Sequence, residues 1–381
     1  MMTNSNLSYW EKESFFNYDV LIIGSGILGL SAAITLKNKA PNLSVAILER
    51  GFLPSGASTK NAGFACFGSI SELIEQEKNV GTEGLHSLIE KRWNGLLKLR
   101  NWLSDRAISY SNLGGYELFS PQDSTLRDQC VAKIDHFNLL LHDIFKNQNS
   151  FKIADEKISS FSFNNIQTLI ENRFEAQIDT GKMMKALINK ATAMGIYIYN
   201  NCDVHHILPE HKFQKVSSNQ GQFKAKRILL TTNAFIKDYF PDLDLVPGRG
   251  QVLITQPIKN LKINGTFHYD RGYYYFRNID NRLLIGGGRH LDFEMEQTSN
   301  FGTTPIVMES LKKLLHEVIL PNSSYVIDYS WSGIMAFGKQ ITPIIKMLKP
   351  NVFCAVRCNG MGVAMGTQTG TEAAEFLLKS I

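Results

Sequence analysis

The sequence predicts an α/β protein of α+β character, in which a parallel βαβ layer is interleaved with a second domain built on an antiparallel sheet. Two observations carry that prediction. Residues 18–49 run through a β-branched apolar segment, a glycine-rich turn, a helical stretch and a second apolar segment. Gly250–Thr255 and Tyr273–Ile285 alternate apolar and polar residues, as strands with one covered face do. Bulk properties agree: 381 residues suffice for two domains with their own cores, and 44% hydrophobic with 20% charged residues exclude disordered and fibrous classes.

The net charge of +5 comes from 40 basic and 35 acidic residues without a long basic run, so no nucleic-acid partner is expected, and the mild positive field favours anionic ligands. The five cysteines are odd in number and contain no CxxC, which argues against a disulfide framework or a zinc site and for a reducing, cytoplasmic setting. No His, Cys or carboxylate cluster has metal-ligand spacing. The most apolar stretch, Val20–Leu36, is short for a bilayer span and is interrupted by Gly24, Gly26 and Gly29. It reads as strand, turn and helix, and no membrane span is expected.

Tyr18–Ile23 is the first strand, Gly24-Ser25-Gly26-Ile27-Leu28-Gly29 the turn, Leu30 to Lys39 the helix and Ser44–Leu48 the second strand, closed by Glu49. Each part of this dinucleotide fingerprint has a task. Gly24 permits the tight turn, Gly26 lets backbone N–H groups approach a pyrophosphate, and Gly29 lets helix and strand pack closely. The helix N-terminus, with Ile27 and Leu28, faces the phosphate charge. Glu49 is placed to accept hydrogen bonds from a ribose diol, and its charge would repel a 2′-phosphate.

The following segment separates FAD from NAD. Arg50–Gly68, RGFLPSGASTKNAGFACFG, does not begin another βα repeat but is a loop crowded with small residues. Here the chain resembles the D-amino-acid-oxidase superfamily of FAD-dependent oxidoreductases, which includes glycine and sarcosine oxidases and γ-glutamylputrescine oxidoreductases. The resemblance implies that Arg50, Ser58, Thr59, Lys60, Asn61, Ala62 and Gly63 accompany the ribose, pyrophosphate and flavin ring. It continues through Ile178–Leu187, Val204, Thr231-Thr232-Asn233-Ala234, Val246–Gln251, Trp331-Ser332-Gly333 and Ala355–Ala364. It implies FAD contacts at Val204, Thr232, Asn233, Gly333, Asn359, Gly360, Met361, Gly362 and Val363. Gly360-Met361-Gly362 opens the last predicted helix, Val363 to Leu378, whose N-terminus would favour negative charge on the reduced flavin.

The implied organisation is a Rossmann-like FAD-binding domain (15–75, 155–240, 335–381) interleaved with a substrate domain (76–154, 241–334). The helical stretch Thr82–Trp102 is expected to cap the site. The implied activity is oxidation of a small amine or amino acid by hydride transfer to the flavin. A 2-hydroxy-acid oxidoreductase and a non-catalytic flavoprotein subunit are the alternatives, and oligomerisation is left open.

A carboxylate-bearing substrate calls for an arginine, whose planar fork matches two oxygens. Arg277, Arg289 and Arg357 are the candidates; Arg357 leads because it precedes the Asn359–Gly360 turn by two residues. Tyr274 or Tyr275 is the candidate for orienting the substrate. The chain departs from the family where Gln340 replaces an aspartate, Lys346 a glycine, and Cys358 the carboxylate-binding arginine of glycine-oxidase-like members. Cys66, Cys354 and Cys358 have no spacing that marks covalent flavin attachment, and His290 is a candidate acid or base.

Overall fold

A computed structural model describes residues 7–380. Its first sheet has the order 344–349, 352–356, 221–230, 17–23, 45–48, 197–199, with the hairpin 204–218 appended. The strands around Asn17–Ile23 are parallel: Val20 pairs with Arg227 on one side and Val45 on the other. Alternation along this strand divides the core. Val20 and Ile22 pack with Leu30, Ala33, Met183 and Leu377 beneath the helices Ile27–Lys39, Thr180–Ala193 and Gly362–Leu378. Leu21 and Ile23 pack on the other face with Val216, Phe223 and Ile334. A strand buried on both faces has no polar side chain to spare, which is why it reads as a continuous apolar run.

The second sheet has the order 327–337, 246–255, 282–287, 274–279, 266–269, 115–119, 168–172, 151–153. All its pairings are antiparallel except Thr266–Tyr269 with Gly115–Phe119. Two expected boundaries shift. Thr168–Asn172 pairs with Gly115–Phe119 and Phe151–Ile153, so the chain leaves this sheet after residue 172 and not at 155. Ile327–Phe337 stays in it three residues past the expected 334. A five-residue strand carries too little periodicity to show which sheet it will join.

The stretch expected to cap the site belongs to a longer helix, Ile70–Leu103, started by a Ser69–Glu72 capping box and broken at Gly81, whose φ of 72° and ψ of 171° are not helical. Beyond the break it packs on the last helix, where a Cβ on Gly95 would lie 2.1 Å from the Ala364 carbonyl oxygen. Only its first turn reaches the site. Among the described residues, no helix is long and apolar enough to cross a membrane.

Candidate active site

A cavity of about 710 Å³ lies between the two sheets, within the range of small-molecule and cofactor sites. One end is built by the first βαβ unit. Gly24 has a φ of +105°, a left-handed turn that turns the chain from strand into helix. Gly29 lies off the cavity and serves packing: a Cβ there would sit 2.0 Å from the Gly24 carbonyl oxygen. Gly26, Ile27 and Leu28 line the wall. The Ile27 N–H donates to Ser58 Oγ at 3.0 Å, and a Cβ on Gly26 would sit 2.9 Å from that oxygen.

Glu49 closes this end, 5% exposed. Its Oε2 accepts from Ser25 N at 3.1 Å and Ser25 Oγ at 2.8 Å, and its Oε1 from Gly51 N at 3.0 Å and Ser55 Oγ at 2.9 Å. The carboxylate is thus held rigid at the strand end, in the cavity wall. Arg50 lies over the Phe235 ring at 3.8 Å, and Val204, Thr232 and Asn233 line the same end.

The middle of the cavity is walled by Lys60, Asn61, Ala62 and Gly63, with Gly333 against Lys60, and by Asn359, Gly360, Met361, Gly362 and Val363. Asn61 folds this loop: its Nδ2 donates to Ser58 O at 2.9 Å, and its Oδ1 accepts from Gly63 N at 2.9 Å and Thr180 Oγ1 at 2.9 Å. Trp331 Nε1 donates to Lys60 O at 2.9 Å, tying the loop to the second sheet. Thr59 does not line the cavity; its hydroxyl donates to Pro54 O at 2.7 Å.

These residues fit FAD. The cavity runs from an acid at a strand end, past a helix N-terminus, to a second helix N-terminus at Gly362. Thr232 Oγ1 and Asn359 Oδ1, both in its wall, are buried without partners among the described residues. Native proteins rarely leave such atoms unpaired, and a cofactor rich in donors and acceptors would pair them.

The leading substrate candidates lie elsewhere. Arg357 is 2% exposed and points away from the cavity; its Nη2 and Nε donate to Thr342 O at 2.8 and 3.1 Å, and its Nη1 to Asp244 O at 2.5 Å and Asp244 Oδ2 at 3.2 Å. It pins two loops. Arg277 is 3% exposed and ties the second sheet to the small-residue loop, its Nη1 donating to Gly63 O at 2.8 Å and Ile178 O at 2.7 Å, with burial holding its pKa down at about 10. Tyr274 faces the opposite layer, its hydroxyl 2.7 Å from Ser310 Oγ. Strand alternation decides this: Tyr273 and Tyr275 face the cavity and Tyr274 cannot.

At this far end the cavity is lined by Tyr275, Arg289, Cys66, Glu72, His268 and Arg271. Burial pushes the Tyr275 hydroxyl up to about 12, so it stays a donor. Arg289 lies 4.1 Å from the Phe337 ring and 4.8 Å from the Phe293 ring, and its guanidinium has no hydrogen bond or ion pair among the described residues. Burial lowers its pKa. Burial also raises the thiols of Cys66 and Cys358, the latter to about 12, so neither is a thiolate nucleophile at neutral pH. His290, the acid/base candidate, packs its ring against Tyr273 at 4.3 Å.

Glu72, His268 and Arg271 carried no motif in the sequence. His268 Nε2 lies 2.6 Å from Glu175 Oε1 and its Nδ1 4.0 Å from Glu72 Oε2. Burial alone would lower His268, but the carboxylates of Glu175, Glu72 and Glu117 outweigh it and bring it up to about 9.

Comparison with known proteins agrees with this architecture. The chain is 23% identical to the probable oxidoreductase OrdL of Haemophilus influenzae, covering 94% of this chain and 83% of that one. It is 24% identical to sarcosine oxidase subunit beta of Rhizobium meliloti, covering 86% and 76%. Among solved structures, glycine oxidase from Geobacillus kaustophilus superposes with a TM-score of 0.75 at 17% identity, covering 96% of this chain and 95% of that one. L-Proline dehydrogenase from P. horikoshii superposes with a TM-score of 0.75 at 19% identity, covering 96% and 94%. The family model described as FAD dependent oxidoreductase matches residues 19–376, and the chain belongs to that family of FAD-dependent enzymes.

Proposed function

We propose that this enzyme oxidises a small amine or amino acid that carries a carboxylate, and that Arg289, not Arg357, anchors that carboxylate. The observation behind the reading is the Arg289 guanidinium, in the cavity wall, stacked by Phe337 and Phe293, and without an ion pair among the described residues. A guanidinium positioned by rings and left without an anion is ready for a bidentate carboxylate. FAD supplies the two-electron acceptor when bound. The chain binds and orients: Arg289, on the turn after strand 282–287, fixes one end of the substrate, and the Tyr275 hydroxyl is free to donate to it. The N-terminus of Gly362–Leu378 favours negative charge in the middle of the cavity.

Relatives named as sarcosine oxidase and glycine oxidase support an amine substrate by analogy. Anaerobic mixing with amino acids, N-methyl amino acids, simple amines and 2-hydroxy acids tests the reading. Bleaching of the visible flavin band by carboxylate-bearing amines is expected. Reduction by hydroxy acids alone, or by none of the compounds, would overturn it.

A further inference from the structure

The far end of the cavity holds an acid as well as a base, and nothing in amine oxidation by itself asks for the acid. Glu72 lines the wall beside His268, Arg271 and Gly272. It comes from the first turn of the helix Ile70–Leu103, where its Oε2 accepts from Ser69 N at 2.9 Å. That bond fixes the carboxylate's direction. Its Oε1 has no hydrogen-bond partner among the described residues, and the side chain is 22% exposed, open to the cavity without being free in solvent.

The surroundings make room for it. Gly272 has a φ of +77°, and a Cβ built there would lie 2.9 Å from Glu72 Cδ and 3.2 Å from Oε1. Any other residue at 272 would push the carboxylate aside.

Three carboxylates, Glu72, Glu175 and Glu117, stand here against two buried cations, His268 and Arg92. His268 pairs closely with Glu175, at 2.6 Å, and more loosely with Glu72, whose Oε2 lies 4.0 Å from its Nδ1. Arg92 lies on the other side with its Nη1 donating to Phe67 O at 2.6 Å and Gln76 Oε1 at 2.8 Å. Glu117 is held by the Ser71 hydroxyl and backbone N–H. Arg271 is the remaining cation at this end, and it is exposed, where solvent and salt screen it. Of the three carboxylates only Glu72 lines the cavity, and its open Oε1 is placed to meet a positive charge that enters.

We propose that Glu72 is a specificity-determining residue that receives a second, cationic group of the substrate, so that the enzyme takes molecules with an ammonium or guanidinium remote from the carboxylate. Neutral or acidic molecules of the same length are the disfavoured class. The assignment rests on the carboxylate-anchored reading above, with Arg289 and Glu72 holding opposite ends. A partly desolvated carboxylate facing a cation is a charge-assisted contact worth roughly tenfold or more in affinity.

A binding experiment separates this from the choice of reaction. The holoenzyme is titrated with ω-trimethylammonio carboxylates of three to six methylenes and with the uncharged ω-tert-butyl carboxylates of the same lengths. Binding is read from perturbation of the visible flavin band. A quaternary nitrogen has no lone pair to assist hydride loss, so these ligands report binding alone. At least one cationic member is expected to bind about tenfold or more tightly than its neutral isostere. That margin should vanish in Glu72→Gln, whose amide oxygen still caps Ser69 N. The proposal is overturned if no cationic member outbinds its isostere, or if the margin survives in Glu72→Gln. The anaerobic reduction panel judges the amine-oxidation reading separately: flavin reduction by amines without the cation preference overturns this proposal alone, and the preference without reduction overturns the amine reading alone.

Discussion

Glu49 and Ser25 are joined twice: Oε2 of the carboxylate accepts from both the N–H and the hydroxyl of Ser25, at 3.1 and 2.8 Å. The acid at the end of the second strand therefore braces the glycine-rich turn at the end of the first. Replacing Glu49 would remove the proposed ribose ligand and slacken the turn proposed to approach the pyrophosphate. Glu49→Ala should weaken FAD by about one to two decades. Glu49→Gln, which keeps an acceptor for Ser25, should lose less. Titration of the apoproteins with FAD decides it; equal affinity in all three proteins would remove Glu49 from the cofactor site.

Gly29 tests the packing beneath that turn. With a Cβ placed 2.0 Å from the Gly24 carbonyl oxygen, Gly29→Ala forces helix and strand apart. Overpacking of this kind costs about 1–3 kcal/mol or more. A lower unfolding midpoint together with poorer flavin retention is the expected result. A variant as stable and as yellow as wild type would show that the turn can shift without penalty.

Arg289 and Arg357 should separate cleanly. Arg289→Met leaves no protein hydrogen bond unmade among the described residues, so the protein should fold and hold FAD while the rate of flavin reduction at low substrate falls by about 10²-fold. Arg289→Lys should restore little of it, because a point charge replaces a planar fork. Arg357→Met strands the carbonyls of Thr342 and Asp244, so stability should fall by about 1–3 kcal/mol. Denaturant unfolding and rapid-mixing reduction on both variants are the measurements. A catalytic loss confined to Arg357→Met would reverse the assignment.

The buried acids predict a pH dependence of stability. Burial raises Glu117 from 4.5 to about 7, with the Ser71 hydrogen bonds opposing, and the nearby carboxylates raise His268 from 6.5 to about 9 against burial. Both groups bind protons more tightly in the folded chain. Glu117's contribution is complete below 4.5 and lost as pH rises through about 7; that of His268 is complete below 6.5 and lost through about 9. The unfolding midpoint should therefore fall from about pH 5 to about pH 9. Glu117→Gln should flatten the lower half of that fall. A midpoint that rises over this range would contradict the assignment of both groups.

The sequence by itself determined the βαβ unit, Glu49 at its end, and the small-residue loop from Ser58 to Gly63. These are local: a left-handed turn, a close phosphate approach and a folded loop each demand particular residues at fixed spacing, and no distant partner is needed to read them. The tertiary structure alone decided which of three arginines faces the cavity. Arg277 and Arg357 look in sequence like Arg289, but carbonyls from Gly63, Ile178, Asp244 and Thr342 claim them, and those partners are far away along the chain. One step of strand alternation likewise turned Tyr275 inward and Tyr274 out. Glu72 and His268 carry no motif, and they meet only because the first turn of a helix packs beside a strand of the second sheet. A side chain's chemistry is written in the sequence, but its partners, and so what it has left to offer a ligand, are set by packing.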